Sequence, residues 1–174
     1  SGWSRFAGQL CLIVVCMVCA RTWAMLFNRL ADQKIDAANP RTARRVFAAG
    51  LLTSRQGWIA AMLAAGAFIS AASLFWILFN NPWPMALSAP VLAWIAFYSL
   101  TKRFTFLCHV FLGGALAASP IAAAIAIHPD SVLVWPAGTP AVFWIAAMVL
   151  VWVAGFDVIY ALQDLDFDRG AGLS

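Results

Sequence analysis

The stretch FAGQLCLIVVCMVCARTWAMLFNRLADQKID, residues 6–36, decides the class of the chain. Residues 6–27 carry a single charge, Arg21, and run long enough as a helix to cross a bilayer. The run then enters an acidic motif directly, with no small-residue cleavage site between them. Asn28, Asp32 and Asp36 follow one another at intervals of four. Across the three they drift only about 80° around a helix. They therefore form a ladder of oxygen ligands down one face, at the mouth of a membrane span.

The rest of the composition agrees. The chain is 64% hydrophobic and 10% charged, with a mean hydropathy of +0.86, whereas soluble domains carry about 25% charged residues. Its apolar runs are long and unbroken, which excludes the alternating strands of a membrane barrel and predicts an all-α, polytopic transmembrane bundle. There is no glutamate; all seven acids are aspartates. The chain begins at Ser1 without an initiator methionine and its last motif stops just short of Ser174, so a fragment is expected.

Five spans are expected, over about 6–31, 56–79, 85–101, 104–127 and from 141 to Asp164 or beyond. Thr53 or Ser54 caps the second. Asn80-Asn81-Pro82-Trp83-Pro84 is a turn, and 43–52 suits a short surface helix. Counting crossings places the first loop, the loop after the third span and the exit of the fifth on one side. That side holds Arg29, Lys34, Arg41, Arg44, Arg45, Arg55, Lys102, Arg103 and Arg169, against Arg5 on the other. Positive residues mark the cytoplasmic face. The net charge of +4 thus reflects topology and does not imply nucleic-acid binding.

A second acidic motif, Asp157-Val-Ile-Tyr160-Ala-Leu-Gln-Asp164-Leu-Asp166-Phe-Asp168, ends the fifth span on that same side. In a continuing helix, Asp157, Asp164 and Asp168 point within about 40° of one another and Asp166 points away. Carboxylates at a membrane boundary are costly, and converging ones call for a cation. Hard oxygen ligands suit Mg²⁺, which binds through one or two carboxylates plus substrate phosphates. Two facing ladders thus suggest Mg²⁺ and a diphosphate, where either ladder alone would read equally well as a solvated helix end.

A third element, Tyr98-Ser-Leu-Thr-Lys102-Arg103, falls on the same side. Tyr98 and Lys102 share a helical face, and Lys102 and Arg103 suit phosphate oxygens or simple anchoring to the interface. Arg21 lies deeper on the Asn28 stripe and suits either a diphosphate or an acceptor carboxylate, or snorkels. Pro40 ends the first helical segment, after which Arg41 reaches back over the acids. Cys11, Cys16, Cys19 and Cys108 lack metal-ligand spacing and read as small apolar residues. His109 and His128 have no ligand partner at useful spacing and read as interfacial or core residues. Aromatics suit interfacial belts, and some are placed to steady a carbocation.

These residues resemble the UbiA family of membrane prenyltransferases. Its N-x-x-x-D-x-x-x-D motif is matched by Asn28, Asp32 and Asp36, and the segment Asn39-Pro-Arg-Thr42-Ala-Arg-Arg45 is similar to its bacterial quinone-pathway branch. Its second motif is matched by Asp157, Tyr160, Asp164 and Asp168, and its Tyr–Lys element by Tyr98 and Lys102 with Arg103. Order and spacing agree along essentially the whole chain.

The resemblance implies one prenyltransferase domain over 1–174, truncated at both ends: the second to sixth helices of a bundle of about nine. It implies Mg²⁺ held by Asp32, Asp36, Asp164 and Asp168 with Asn28 in support. Lys102, Arg103, Tyr98 and Arg41 would hold the diphosphate. Arg21, Asp157 and Tyr160 would meet acceptor or diphosphate. The partners implied are a polyprenyl diphosphate, a small aromatic acid and the bilayer, with the site facing the cytoplasm of a bacterial inner membrane. The expected acceptor is 4-hydroxybenzoate, for ubiquinone, and next a dihydroxynaphthoate, for menaquinone. CDP-alcohol phosphotransferases are disfavoured because Ala37 and Ala38 follow Asp36 where their signature needs glycine. A cation transporter with an aspartate path would place its acids near the midplane rather than at one boundary.

Overall fold

The computed structural model describes residues 2–134 and 140–164. Five helices are long and apolar enough to span a membrane: α1 (Gly2–Ala31), α3 (Ser54–Phe79), α4 (Trp83–Thr101), α5 (Cys108–Ile127) and α7 (Ala141–Ala161). Two short helices, α2 (Gln33–Ala38) and α6 (Asp130–Leu133), and a 3₁₀ turn at Leu162–Asp164 complete the described elements, among which there is no strand. At about 1.5 Å per residue, even the 19 residues of α4 come close to the hydrocarbon thickness of a bilayer. The burial pattern is that of a lipid-solvated protein. Val18, Leu63, Ile77, Val151 and Trp152 face outward, while Gln9, Asp32, Asn81 and Thr101 are buried. The chain is an integral membrane protein.

Contacts at the two ends of the bundle fix the alternation of the spans. At one pole the start of α1 meets the ends of α3 and α5. Arg5 donates to the Phe79 carbonyl at 3.0 Å, and Gln9 donates to the Ala126 and Ile127 carbonyls at 3.3 Å each. Asn81 donates to the Ile125 carbonyl at 2.8 Å. The last carbonyls of α5 have no partner within their own helix, and in a bilayer they must find one. Gln9 and Asn81 supply it. At the opposite pole, the end of α1 meets the end of α4 and the start of α3.

Small residues let the helices close on one another, as packing in lipid requires. Gly57, Ala61, Ala65 and Ala72 are buried along one stripe of α3. A Cβ at Gly57 would lie 2.7 Å from the side chains of Leu30 and Phe47. On α5, Gly113 and Ala117 are buried one turn apart. A Cβ at Gly113 would come within 2.6 Å of the Leu150 backbone oxygen of α7. The α5–α7 crossing therefore depends on this glycine.

Local chemistry explains most boundaries and four departures from expectation. Thr53 caps α3 in a reciprocal capping box with Gln56, and Asn80 ends that helix in the left-handed region. The first acidic ladder is not one unbroken helix. It breaks at Asp32, with φ −93° and ψ 6°, and restarts at Gln33. The fourth span starts at Cys108 rather than 104, because Thr105 Oγ1 accepts the Leu107 N–H and holds a turn there. The expected surface helix over 43–52 is instead a run of turns. It is tied down by the buried Phe47 and by a Gln33 hydrogen bond to the Phe47 carbonyl. The α-helix of the fifth span ends at Ala161 rather than continuing through Asp164.

Gly113→Ala is expected to lower the apparent unfolding midpoint in detergent, corresponding to about 1–3 kcal/mol of overpacking. Gly66→Ala, where a Cβ meets open space, is expected to leave the midpoint unchanged or raise it. Thermal melts followed by size exclusion check both; an unshifted G113A protein contradicts the close crossing.

Candidate active site

The charged pole is assembled from the end of α1, α2, the loop after it, the end of α4 and the facing ends of α5 and α7. Asp32 is 1% exposed. A carboxylate buried to that degree loses several kcal/mol of solvation unless cations replace the water. Lys102 Nζ lies 2.5 Å from its Oδ2 and Arg103 Nη2 lies 3.4 Å from its Oδ1. Arg103 also donates to the Ala31 carbonyl at 2.6 Å, closing the end of α1. Asp36 is 5% exposed, and Arg45 Nη1 meets its Oδ1 at 2.7 Å. Arg29 Nη1 stands 4.0 Å from the other oxygen of Asp36.

The loop from Asn39 to Thr53 carries Arg45 into place. Asn39 takes the extended conformation ahead of Pro40, and its Oδ1 accepts the Arg41 N–H at 2.9 Å. Thr42 is buried and donates to the Asp36 carbonyl at 3.0 Å. Gln33 then links the loop to the start of α3 through Ser54, whose hydroxyl donates to it at 2.7 Å. Arg41 is exposed and lies within electrostatic reach of Arg29.

Four cations thus surround two carboxylates, and the matching is incomplete. Asp32 Oδ2 is shielded from solvent and accepts no hydrogen bond of good geometry, although the Lys102 ammonium faces it as an ion pair. Arg29 Nη1 is likewise shielded and has no acceptor within hydrogen-bonding range. Buried polar groups are nearly always satisfied, so Arg29 Nη1 stands out as a donor left over beside carboxylates that already have cations. Asn28, half-buried, lies one turn before Asp32, whose N–H its carbonyl accepts at 2.9 Å.

Deeper in the bundle, Tyr98 links the two acidic motifs. It is half-buried on α4, within electrostatic reach of Arg21, Asp32 and Asp157. Asp157 on α7 is paired with His109 on α5, Nδ1 to Oδ2, at 2.8 Å. Tyr160 is exposed one turn further along α7, its ring 4.9 Å from that of Phe156.

Most residues singled out from sequence therefore gather at one pole: Asn28, Asp32, Asp36, Arg41, Lys102 and Arg103 at the boundary, and Arg21, Tyr98 and Asp157 below it. Asp168, Asp166 and the side chain of Asp164 lie outside the described residues. The stripe expected to join Asp157 to Asp164 required a continuous α-helix, and the 3₁₀ turn at Leu162–Asp164 interrupts that register. His109 is a correction: it has a partner, 48 residues away in the chain. Crossing parity puts the start of α5 and the end of α7 at the same pole, and that was the available signal. Arg29 and Arg45 were assigned to topology alone, and both address Asp36.

A helical bundle that gathers buried carboxylates and their lysine and arginine partners at one boundary sets the class of the chain, a polytopic membrane protein with one charged pole. The comparisons with known proteins narrow it. The chain belongs to the UbiA prenyltransferase family, whose model matches residues 1–174. A 4-hydroxybenzoate octaprenyltransferase of Pseudomonas savastanoi pv. phaseolicola is 31% identical over 163 residues, 93% of this chain and 51% of that protein. One from Nitrosomonas europaea is 32% identical over 165 residues, 94% of this chain and 52% of that protein. The apo structure of a UbiA homolog from Aeropyrum pernix K1 matches with a TM-score of 0.83 and 32% identity, over 96% of this chain and 59% of that one. The chain spans about half the length of the curated relatives it matches.

Lys102→Met and Asp32→Asn are expected to be strongly non-additive, with a coupling of about 1–3 kcal/mol in a double-mutant cycle on detergent-solubilised protein. Additive losses of stability contradict the pairing.

Proposed function

We propose that the full-length protein transfers a polyprenyl group from its diphosphate to an aromatic acid, with 4-hydroxybenzoate as the acceptor, in ubiquinone biosynthesis. The observation that carries this reading is the gathering of Lys102, Arg103, Arg45 and Arg29 around the buried Asp32 and Asp36, with Arg29 Nη1 left without a hydrogen-bond acceptor. A diphosphate with a divalent cation suits both sets, because it brings oxygens to the cations and a metal to the carboxylates. Family membership and the names of the relatives supply the reaction class and the acceptor. The 174 residues are read as five spans of one transferase domain.

The donor set fits Mg²⁺. Asp32 and Asp36 are hard oxygen ligands about one turn apart, with Asn28 a turn before them. Mg²⁺ completes its shell with water and phosphate oxygens, so one or two protein carboxylates are enough to hold it. Asp32 and Asp36 would hold it, with Asn28 in support and Asp164 and Asp168 from the second motif. When bound, Mg²⁺ would neutralise diphosphate oxygens and improve the leaving group.

The chain's own cations do the remaining electrostatic work. Lys102, Arg103, Arg45 and Arg29 exchange carboxylate partners for diphosphate oxygens, with Arg41 and Tyr98 at the margin. The allylic carbon–oxygen bond breaks and its electron pair leaves with the diphosphate. The ring carbon beside the acceptor hydroxyl then bonds the prenyl carbon, and the ring proton passes to solvent. Arg21, within electrostatic reach of Tyr98, would meet the acceptor carboxylate, with Asp157 and Tyr160 contributed by α7. A boundary site serves both substrates, since the prenyl tail stays in lipid while the acid arrives from water. The excess of Lys and Arg at this pole supports a cytoplasmic orientation in a bacterial inner membrane.

In membranes containing the full-length protein, Asp32→Ala and Asp36→Ala are each expected to lower prenyl transfer to 4-hydroxybenzoate by a hundredfold or more, on the order of losing one charge-stabilising group. Asp130→Ala, at the opposite pole, is expected to leave transfer intact. EDTA should abolish activity and Mg²⁺ restore it. Undiminished transfer by D32A, or chelator-resistant activity, contradicts the reading.

A further inference from the structure

Among the described residues, the His109–Asp157 pair is a titratable cluster at the pole that the diphosphate chemistry leaves unused. It joins α5 to α7 near the close crossing at Gly113, so the two residues are held by backbone packing as well as by their own bond. Both side chains keep partial access, 20% for His109 and 37% for Asp157, unlike the sealed Asp32. Asp157 is also within electrostatic reach of Tyr98 and Cys108. No arginine or lysine is paired with it among the described residues. A part-exposed carboxylate bonded to an imidazole, with no arginine or lysine against it among the described residues, suits a hydroxyl donor better than a diphosphate.

We propose that His109 is a positioning residue for the aromatic acceptor: its Nδ1–H bonds the Asp157 carboxylate across the α5–α7 crossing and holds that carboxylate where it accepts a hydrogen bond from the acceptor's hydroxyl. The inference rests on the proposed transfer reaction and assigns Asp157 to the acceptor rather than to the diphosphate. With the acceptor carboxylate on Arg21 and its hydroxyl on Asp157, the ring is oriented from both ends around Tyr98. The Asp157 bond also strengthens electron donation from the hydroxyl into the ring, which favours attack by the adjacent carbon. A bond to a carboxylate fixes the Nδ1–H tautomer of the imidazole.

The test is steady-state kinetics of the full-length protein in membranes, with geranyl diphosphate and 4-hydroxybenzoate varied in turn. His109→Leu, which removes the donor, is expected to raise the acceptor KM roughly tenfold or more while moving the diphosphate KM less than about threefold. His109→Asn, whose amide can donate from nearly the Nδ1 position, is expected to recover most of the loss. Asp157→Asn is nearly isosteric and guards against a folding defect in the leucine variant; it should reproduce the same split. A plain loss of structure would lower kcat without separating the two KM values or responding to asparagine. An acceptor KM unmoved in both H109L and D157N, or equal shifts for both substrates, overturns the acceptor role while leaving the transfer reaction standing. Absence of transfer by the wild-type protein to 4-hydroxybenzoate overturns the proposed function and the acceptor role together.

Discussion

Asp32 is a carboxylate held almost out of reach of water at the edge of a bilayer, and the pole of the bundle is arranged around keeping it charged. Its counter-ions come from α4, some seventy residues further along the chain. The same Arg103 that faces it also caps the last carbonyl of α1, that of Ala31. One electrostatic requirement therefore fixes the contact between two helix ends. The break in the helix at Asp32 belongs to the same constraint: the peptide there turns enough to start α2 as a separate segment and bring Asp36 under the loop. Removing cation or acid leaves a buried charge without compensation, which costs far more than an exposed pair would.

The surroundings make that arrangement rigid. Lipid supplies no hydrogen bonds, so every helix end at either pole must be satisfied within the protein. Gln9 and Asn81 do this at one pole. Arg103 and Thr42 do it at the other, and Gln33 satisfies the Phe47 carbonyl of the loop between α2 and α3. Between the poles, alanines and glycines on α3 and α5 let backbones approach, and the outward faces remain apolar. Of the buried polar residues described, Asp32, Asp36, Asn39, Thr42, Ser99 and Thr101 belong to the charged pole, and Gln9, Asn81 and Ser88 to the other.

Much of this was legible from sequence, because membranes leave little freedom. Apolar length fixed the five spans to within a few residues, and counting crossings placed Asp32, Lys102 and Asp157 at one end. The pairings were less legible. Asp36 and Arg45 meet through a loop whose path depends on Phe47, Thr42 and Asn39, and no periodicity describes it. His109 and Asp157 meet because Gly113 lets α5 and α7 nearly touch, a three-dimensional fact with no local spacing. The surface helix expected over 43–52 failed for a related reason: its aromatic residue is spent on burying the start of α3, and the backbone bends to allow it. The facing of Asp157 and Asp164 presumed helical register past Ala161, where the helix tightens instead.

The central claim is that the acids and bases at this pole are mutually neutralised until a diphosphate and a metal exchange partners with them. A structure of the full-length protein with Mg²⁺ and a non-hydrolysable prenyl thiodiphosphate tests it directly. The account predicts diphosphate oxygens against Arg29, Arg45, Lys102 and Arg103, with the metal on Asp32 and Asp36. A ligand bound elsewhere, with Lys102 still on Asp32 and Arg45 still on Asp36, would contradict it.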